Sequence, residues 1–227
     1  MGYLGAFYRT YALDFWGFGE SGKKRETYAV SDFVSLVNQF MEQLGIVHAP
    51  LVGHSMGGTV SLSVAIKYPE RVSKVVVVGS PMVGSSLAPL LKLAGMRPIA
   101  FMLFNMMGVF RTGMRMYSPF ICRDPRFPEM MDRDLSRTTV ESFLLSIASL
   151  RRTDLTPMLS QIKVPAMGMF GDKDVIVHPL QWQPMLKGIP HSVIERFPTS
   201  GHFPMLEEPT IFSQKLKSFL DQDIPIP

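Results

Sequence analysis

Apolar positions along the chain fall into two rhythms. Between Ser31 and Leu44 they recur at spacings of three and four, so that Phe33, Val34, Val37, Phe40, Met41 and Leu44 share one face. That spacing predicts an amphipathic helix. Ser31 stands where an N-cap would, and Gly45 where such a helix would stop. Pro50-Leu51-Val52 is a short apolar strand leading into Gly53, and a second helical stretch runs from about Gly58 to Tyr68, ended by Pro69. Val75-Val76-Val77-Val78 is β-branched throughout with no polar face, the pattern of a parallel strand buried on both sides. Upstream, Tyr8 to Leu13 is a β-prone run ending at Asp14, followed by the glycine-rich loop Trp16-Gly17-Phe18-Gly19-Glu20-Ser21-Gly22. Strands alternating with helices in this order encode a parallel sheet with crossover helices.

The rhythm breaks after Val78. From about Met82 to Pro157 the segment is helical in flavour and rich in Met, Phe and Leu, with Pro and Gly between. The alternation then resumes: Val164 to Phe170 as a strand, Pro179 to Leu186 as a short helix, Val193 to Phe197 as a strand and Thr210 to Leu220 as a last amphipathic helix. A helical insertion between two parallel strands reads as a cap over the strand ends. The expected organisation is thus an α/β core built from residues 1–81 and 157–227, with a helical cap at 82–156.

Composition changes this picture little. The chain has 227 residues, 46% of them hydrophobic and 19% charged, which is globular and not disordered. A net charge of +4 without a long Lys/Arg run gives no reason to expect a nucleic-acid partner. The single cysteine, Cys122, excludes an internal disulfide and a cysteine-based zinc site. No stretch reaches about 18 uninterrupted apolar residues, so no spanning helix is expected. The start of the chain lacks a basic segment, an apolar run and a cleavage site, which makes a cytoplasmic location the expectation.

The candidate chemistry begins at Gly53-His54-Ser55-Met56-Gly57, a G-x-S-x-G turn between a predicted strand and a predicted helix. There a serine would be held in a strained conformation above the sheet, with glycines where the chain approaches itself closely. The amides opening the next helix, Met56 N–H first, would face a developing oxyanion. A serine nucleophile needs a base, and the base an orienting acid. Of five histidines, His48 and His54 flank the strand before the turn, His54 as a packed or hydrogen-bonded neighbour. His178 and His191 read as loop residues, whereas His202 stands in Ser200-Gly201-His202-Phe203-Pro204, between the last strand and the last helix. For the acid, Gly171-Asp172-Lys173-Asp174 follows a strand and offers two candidates. Asp174 is favoured because Val175-Ile176-Val177 would shield it, while Asp172 could serve the turn by bonding nearby amides. The chain order Ser55, Asp174, His202 fits the Ser…Asp…His order that accompanies a G-x-S-x-G turn.

With these residues in hand, the chain resembles the α/β-hydrolase superfamily, in its capped esterase, lipase and C–C hydrolase branch. Asp14-Phe15-Trp16-Gly17-Phe18-Gly19-Glu20-Ser21 is similar to that family's D-x-x-G-x-G-x-S loop, and Val52 to Gly58 to its nucleophile turn. Gly171-x-x-Asp174 with Pro179 is similar to its acid turn, and Gly201 to Pro209 to its histidine loop. The resemblance implies Ser55, Asp174 and His202 as catalytic residues, Met56 as an oxyanion donor, and His54, Met82 and Phe203 at the substrate pocket. It implies carboxylic ester hydrolysis without cofactor or metal, with C–C hydrolysis and perhydrolysis as alternatives. The family normally carries strands before the Asp14 loop, one of them ending in a His-Gly pair that gives the second oxyanion amide. No histidine precedes His48, so the fold is expected to be shortened at its N-terminus. The run before Asp14 is then expected to pair directly with the Ser55 strand, and Gly2 or Gly5 to be the candidate second donor.

Two rivals follow from other features. Gly17 to Lys24 nearly spells a phosphate-binding G-x-x-x-x-G-K-[ST] loop, but Lys24 stands where the Mg²⁺-holding hydroxyl belongs. The shortened oxyanion region also suits a hydrolase-fold protein that binds apolar ligands without catalysis. Within the 82–156 segment, Met82, Met96, Met102, Met106, Met107, Met114 and Met116, with Phe101, Phe104 and Phe110, form a soft apolar surface. It suits an ester with an apolar acyl or alkyl group. It equally suits contact with a membrane or a second copy of the chain.

Overall fold

In the computed structural model, residues 2–23, 27–94 and 107–222 are described. Four strands, β1 (Ala49–His54), β2 (Val72–Val78), β3 (Ala166–Gly171) and β4 (Val193–Phe197), form one sheet in the order β1-β2-β3-β4. Every neighbouring pair is parallel. Helices α1 (Val30–Gln43) and α2 (Met56–Lys67) lie on one face. Helix α9 (Pro209–Asp221) covers the other. The valine run of β2 explains the two-sided burial: Val75 and Val77 join the α1–α2 core, while Val76 and Val78 join Phe212, Leu216 and Phe219 of α9.

Between β2 and β3 the described residues form α3 (Pro89–Ala94), α4 (Met107–Ile121), α5 (Phe127–Ser136) and α6 (Val140–Leu150). The two ends of this segment are tied together. Val83 and Asp154 form an antiparallel bridge, Leu155 N–H donates to the Met82 carbonyl and Gly84 N–H to that of Thr153. Gln181, buried below the segment, accepts from the Met82 and Val83 amides through Oε1. Met82 itself is fully buried in the main core, so its side chain is part of the packing beneath the helices. Met96, Met102, Met106, Phe101 and Phe104 fall outside the described residues, as do the side chains of Met107 and Phe110. Met116 is exposed and Met114 packs beside Ile121 and Phe127. A short 3₁₀ turn, Pro179–Gln181, leads into α7 (Trp182–Gly188), and α8 (Pro204–Glu207) precedes α9. No helix among the described residues is long and apolar enough to cross a membrane.

Two expected elements are corrected by the structure. The cap residue of α1 is Ala29, not Ser31; Asp32 in the first turn accepts from the Ala29 amide and the Thr27 hydroxyl. More consequentially, Tyr8 to Leu13 forms no strand, and β1 is left at the sheet edge. The aromatic residues of the N-terminal segment anchor on helices instead. Tyr8 bonds Asp221 of α9, Phe7 lies under Lys217, Tyr11 meets Phe40 and Phe15 stacks on Phe33 of α1. Gly5 lies in the turn next to Leu4, which packs against the α9 core, so this segment is held by α9. An edge strand can satisfy its outer amides with water. Pro50, which lacks an N–H, sits in that edge where the β1–β2 register shifts.

Candidate active site

Parallel strands deliver their following loops to the same end of the sheet, and all three candidate catalytic residues lie in such loops. Ser55 follows β1 directly and has φ 53°, the only positive φ among the described non-glycine residues. A residue there is strained, and the turn is held by Ser55 N–H donating to the Val78 carbonyl of β2. The tightness is one-sided. A Cβ on Gly53 would lie 2.2 Å from the Gly57 carbonyl oxygen, but one on Gly57 would meet nothing within 4 Å. Gly57 therefore lacks the steric reason expected of it among the described residues. Met56 is the first residue of α2, so its N–H has no partner within the helix and is available at the helix N-terminus.

Asp174 follows β3. Its Oδ1 accepts from the Ile176 and Val177 amides at 2.8 and 2.9 Å, and its Oδ2 lies 2.7 Å from His202 Nδ1. Both side chains are nearly sealed from solvent, at 2% and 4% exposure. A carboxylate only accepts, so Nδ1 carries the proton and Nε2 of a neutral His202 is left with its lone pair. Asp172 takes a different role from the expected turn bonding: it forms a two-pronged ion pair with Arg196 of β4 at 3.0 and 2.9 Å.

The histidine loop is fastened from several sides. Gly201 N–H donates to Glu207, whose other oxygen accepts from the Arg123 amide between α4 and α5. Ser200 and Thr199 hydroxyls donate to Glu208, holding that carboxyl below the usual range. Gly171 admits the loop because a Cβ there would lie 1.9 Å from the Gly201 carbonyl oxygen. Gly79, with φ 52°, packs against the Asp174–His202 pair; its Cβ would stand 3.2 Å from His202 Nδ1. Glu207, Glu208 and Gly79 carry no signal of these roles in the sequence beyond their places after a histidine motif and a strand. His54 and Phe203 do come together with His202. His54 Nε2 is 2.8 Å from the His202 carbonyl oxygen, and its ring centroid is 4.6 Å from those of both His202 and Phe203. Burial, and then the neighbouring His202, lower the His54 pKa to about 3, against the opposing effect of its bond to the carbonyl.

In the described part of the glycine-rich loop, the Gly17, Phe18 and Ser21 amides are already bonded to main-chain carbonyls and so are not available to a phosphate. Glu20 N–H donates to the Asp14 carboxylate, and the Gly17 carbonyl accepts from Ser142 and Thr139 of the α6 region. No group of three His, Cys, Asp or Glu residues among those described could hold a metal ion.

The sequence pattern of the alpha/beta hydrolase fold family matches residues 4–209. The chain belongs to the α/β-hydrolase family. This α/β-hydrolase is 26% identical to 3-oxoadipate enol-lactonase 2 of Acinetobacter baylyi over 211 residues, covering 90% of the chain and 75% of that protein. It is 29% identical over 227 residues to a 2-hydroxy-6-oxononadienedioate/2-hydroxy-6-oxononatrienedioate hydrolase of Escherichia coli, covering 95% of the chain and 77% of that protein. In fold it is similar to an esterase from Exiguobacterium antarcticum, with a TM-score of 0.78 at 22% identity over 92% of the chain and 80% of that structure.

Proposed function

We propose that this α/β-hydrolase cleaves carboxylic esters through an acyl-enzyme on Ser55. The observation that carries the reading is the sealed Asp174–His202 bond of 2.7 Å, in a loop tied to the strained Ser55 turn. His202 Nε2 takes the proton of Ser55 as its Oγ attacks the ester carbonyl, and Asp174 stabilises the imidazolium that forms. Met56 N–H and the N-terminus of α2 receive the oxyanion. His202 returns the proton to the departing alkoxide, then activates water to release the acid and restore Ser55. The Ser55 hydroxyl has no hydrogen bond among the described residues, so its bond to His202 Nε2 is one that bound substrate would complete. No step requires a metal or cofactor. Phe203, packed on both histidines, sets an aromatic face beside the base and suits an ester with an apolar acyl or alkyl group.

The relative named as an enol-lactonase supports an ester-type bond as substrate. A second reading, hydrolysis of a C–C bond next to a carbonyl, is favoured by the relative named as a dienedioate hydrolase. The same serine, base and acid would serve either. The deciding experiment compares wild type and Ser55→Ala on a p-nitrophenyl ester, on an enol-lactone and on a 2-hydroxy-6-oxodienedioate, with fluorophosphonate labelling alongside. Ester turnover and labelling that both vanish in Ser55→Ala support the proposal. Turnover of the dienedioate alone favours C–C hydrolysis. Absence of labelling at high probe concentration leaves a binder of apolar ligands.

A further inference from the structure

The mechanism above gives His54 nothing to do, yet it is the residue joined by one peptide bond to the nucleophile and by one hydrogen bond to the base's own main chain. The His202 carbonyl can only accept, so the ring nitrogen 2.8 Å away from it carries the proton. We propose that His54 is a positioning residue whose Nε2–H, bonded to the His202 carbonyl, sets the distance between the Ser55 turn and the histidine loop. The inference rests on Ser55 and His202 acting as nucleophile and base.

Two bonds to His202 divide the task. Asp174 grips the imidazole at Nδ1 and fixes its tautomer. That grip acts on the side chain and does not by itself hold the main chain of His202. The second bond holds the main chain of the same residue, and it comes from the end of β1, the strand that also delivers Ser55. Glu207 and Glu208 fasten the loop too, but from its own C-terminal side and toward Arg123 of the helical segment. Among the described residues, only the bond of His54 refers the main chain of His202 directly to the serine strand. Its importance is raised by the position of β1 at the sheet edge, where β2 is its one strand partner among the described residues.

The ring is well placed for a fixed role. Phe203 and His202 lie against it at equal centroid distances, so it has little room to turn. It stays uncharged through the neutral pH range because burial holds its pKa low. A neutral ring does not compete with the positive charge that His202 takes up during the reaction.

The test uses His54→Phe, which keeps a ring and loses the donor, and His54→Gln, whose amide N–H reaches about as far. On the p-nitrophenyl ester, His54→Phe should lower kcat by about 10- to 100-fold, the scale of a misplacement near 1 Å, with KM changed less than about threefold. Hydrogen exchange in the 199–204 loop should speed up. His54→Gln should restore most of kcat and the loop's protection. Wild-type kcat in His54→Phe, or equal loss in both variants, overturns the proposal, because the donor would then be irrelevant. Should His54→Phe fail to fold, ¹⁵N spectra of the wild-type imidazoles decide: a protonated Nε2 on His54 supports it, and a protonated Nδ1 refutes it. Failure of the wild type to turn over ester or accept fluorophosphonate would instead count against Ser55 chemistry. The exchange and ¹⁵N measurements need no turnover and would still decide the role of His54.

Discussion

Alanine at Gly53 and alanine at Gly57 should act in opposite directions, although the two glycines flank the serine symmetrically in sequence. A Cβ on Gly53 would lie 2.2, 2.3 and 2.4 Å from the Gly57 carbonyl oxygen, the Gly57 carbonyl carbon and the Gly58 amide nitrogen. All three are backbone atoms of the first turn of α2, so no side chain can swing aside. Restoring ordinary contact requires β1 and α2 to part by about 1 Å, at a cost of about 1–3 kcal/mol by the scale of overpacked cores. The same displacement carries Ser55 away from its base and should slow acylation by about 100-fold. At Gly57 the Cβ has open space and φ is not positive. Alanine there should be neutral or stabilising by up to about 1 kcal/mol, the ordinary helix preference over glycine. Urea unfolding gives the stabilities, and the fluorophosphonate labelling rate of the folded fraction gives the competence of Ser55. Equal damage from both substitutions would refute the reasoning, since it would mean that the space beside Gly57 is filled. A harmless Gly53→Ala would refute the close approach itself.

Acid should weaken the protein through His54, whose folded pKa of about 3 lies below the ordinary 6.5. The unfolded chain then binds the proton first, so this contribution is complete above about pH 6.5 and is lost as pH falls toward 3. The loss reaches up to about 2 kcal/mol at pH 5. It should appear as a steeper fall in urea stability between pH 7.5 and 5 than His54→Gln shows, and parallel curves would refute it. Asp174→Asn should lower kcat by about 10⁴ through the wrong imidazole tautomer. Asp172→Asn, which breaks a partly exposed ion pair with Arg196, should leave kcat alone and cost about 0–1 kcal/mol; steady-state kinetics on both variants check the assignment of the acid. Glu207→Gln loses the charged acceptor of the Gly201 and Arg123 amides and should cost about 1–3 kcal/mol in urea unfolding.

Much of this was legible in the sequence because local pattern and tertiary demand agree. Val75–Val78 reads as a strand buried on both faces and is one; the serine, acid and histidine loops each follow a strand, as their motifs require. The failures occur where the deciding partner is distant. Tyr8 to Leu13 has strand-like residues and the outer edge of β1 is open to it, but its aromatic rings are held by α1 and α9 instead. Asp172 has the sequence of a turn-bonding residue, but its partner is Arg196, 24 residues on, which no local pattern places beside it. The resemblance implies Met82 at the pocket, whereas its side chain lies in the main core, where its amide donates to Gln181 and its carbonyl accepts from Leu155. The work of Gly79 and Glu207 is likewise long-range, and no spacing rule encodes it.

The parallel pairing of β3 with β4 has a consequence for how substitutions far from the chemistry should be felt. Gly171 is opposite Phe197, and the acid turn and the histidine loop depart from those two residues. The register of this pair is therefore a ruler that fixes how far Asp174 travels before it meets His202. One step along a strand is about 3.3 Å, more than the whole length of their bond, and it also turns each side chain to the opposite face. What prevents the step is oily packing on both sides of the sheet: Met169 and Phe197 against α9, Phe170 against the opposite core. Substitutions among these residues, none of them polar, should thus disturb activity in proportion to their effect on strand alignment, while many changes in the exposed turns below leave the ruler untouched.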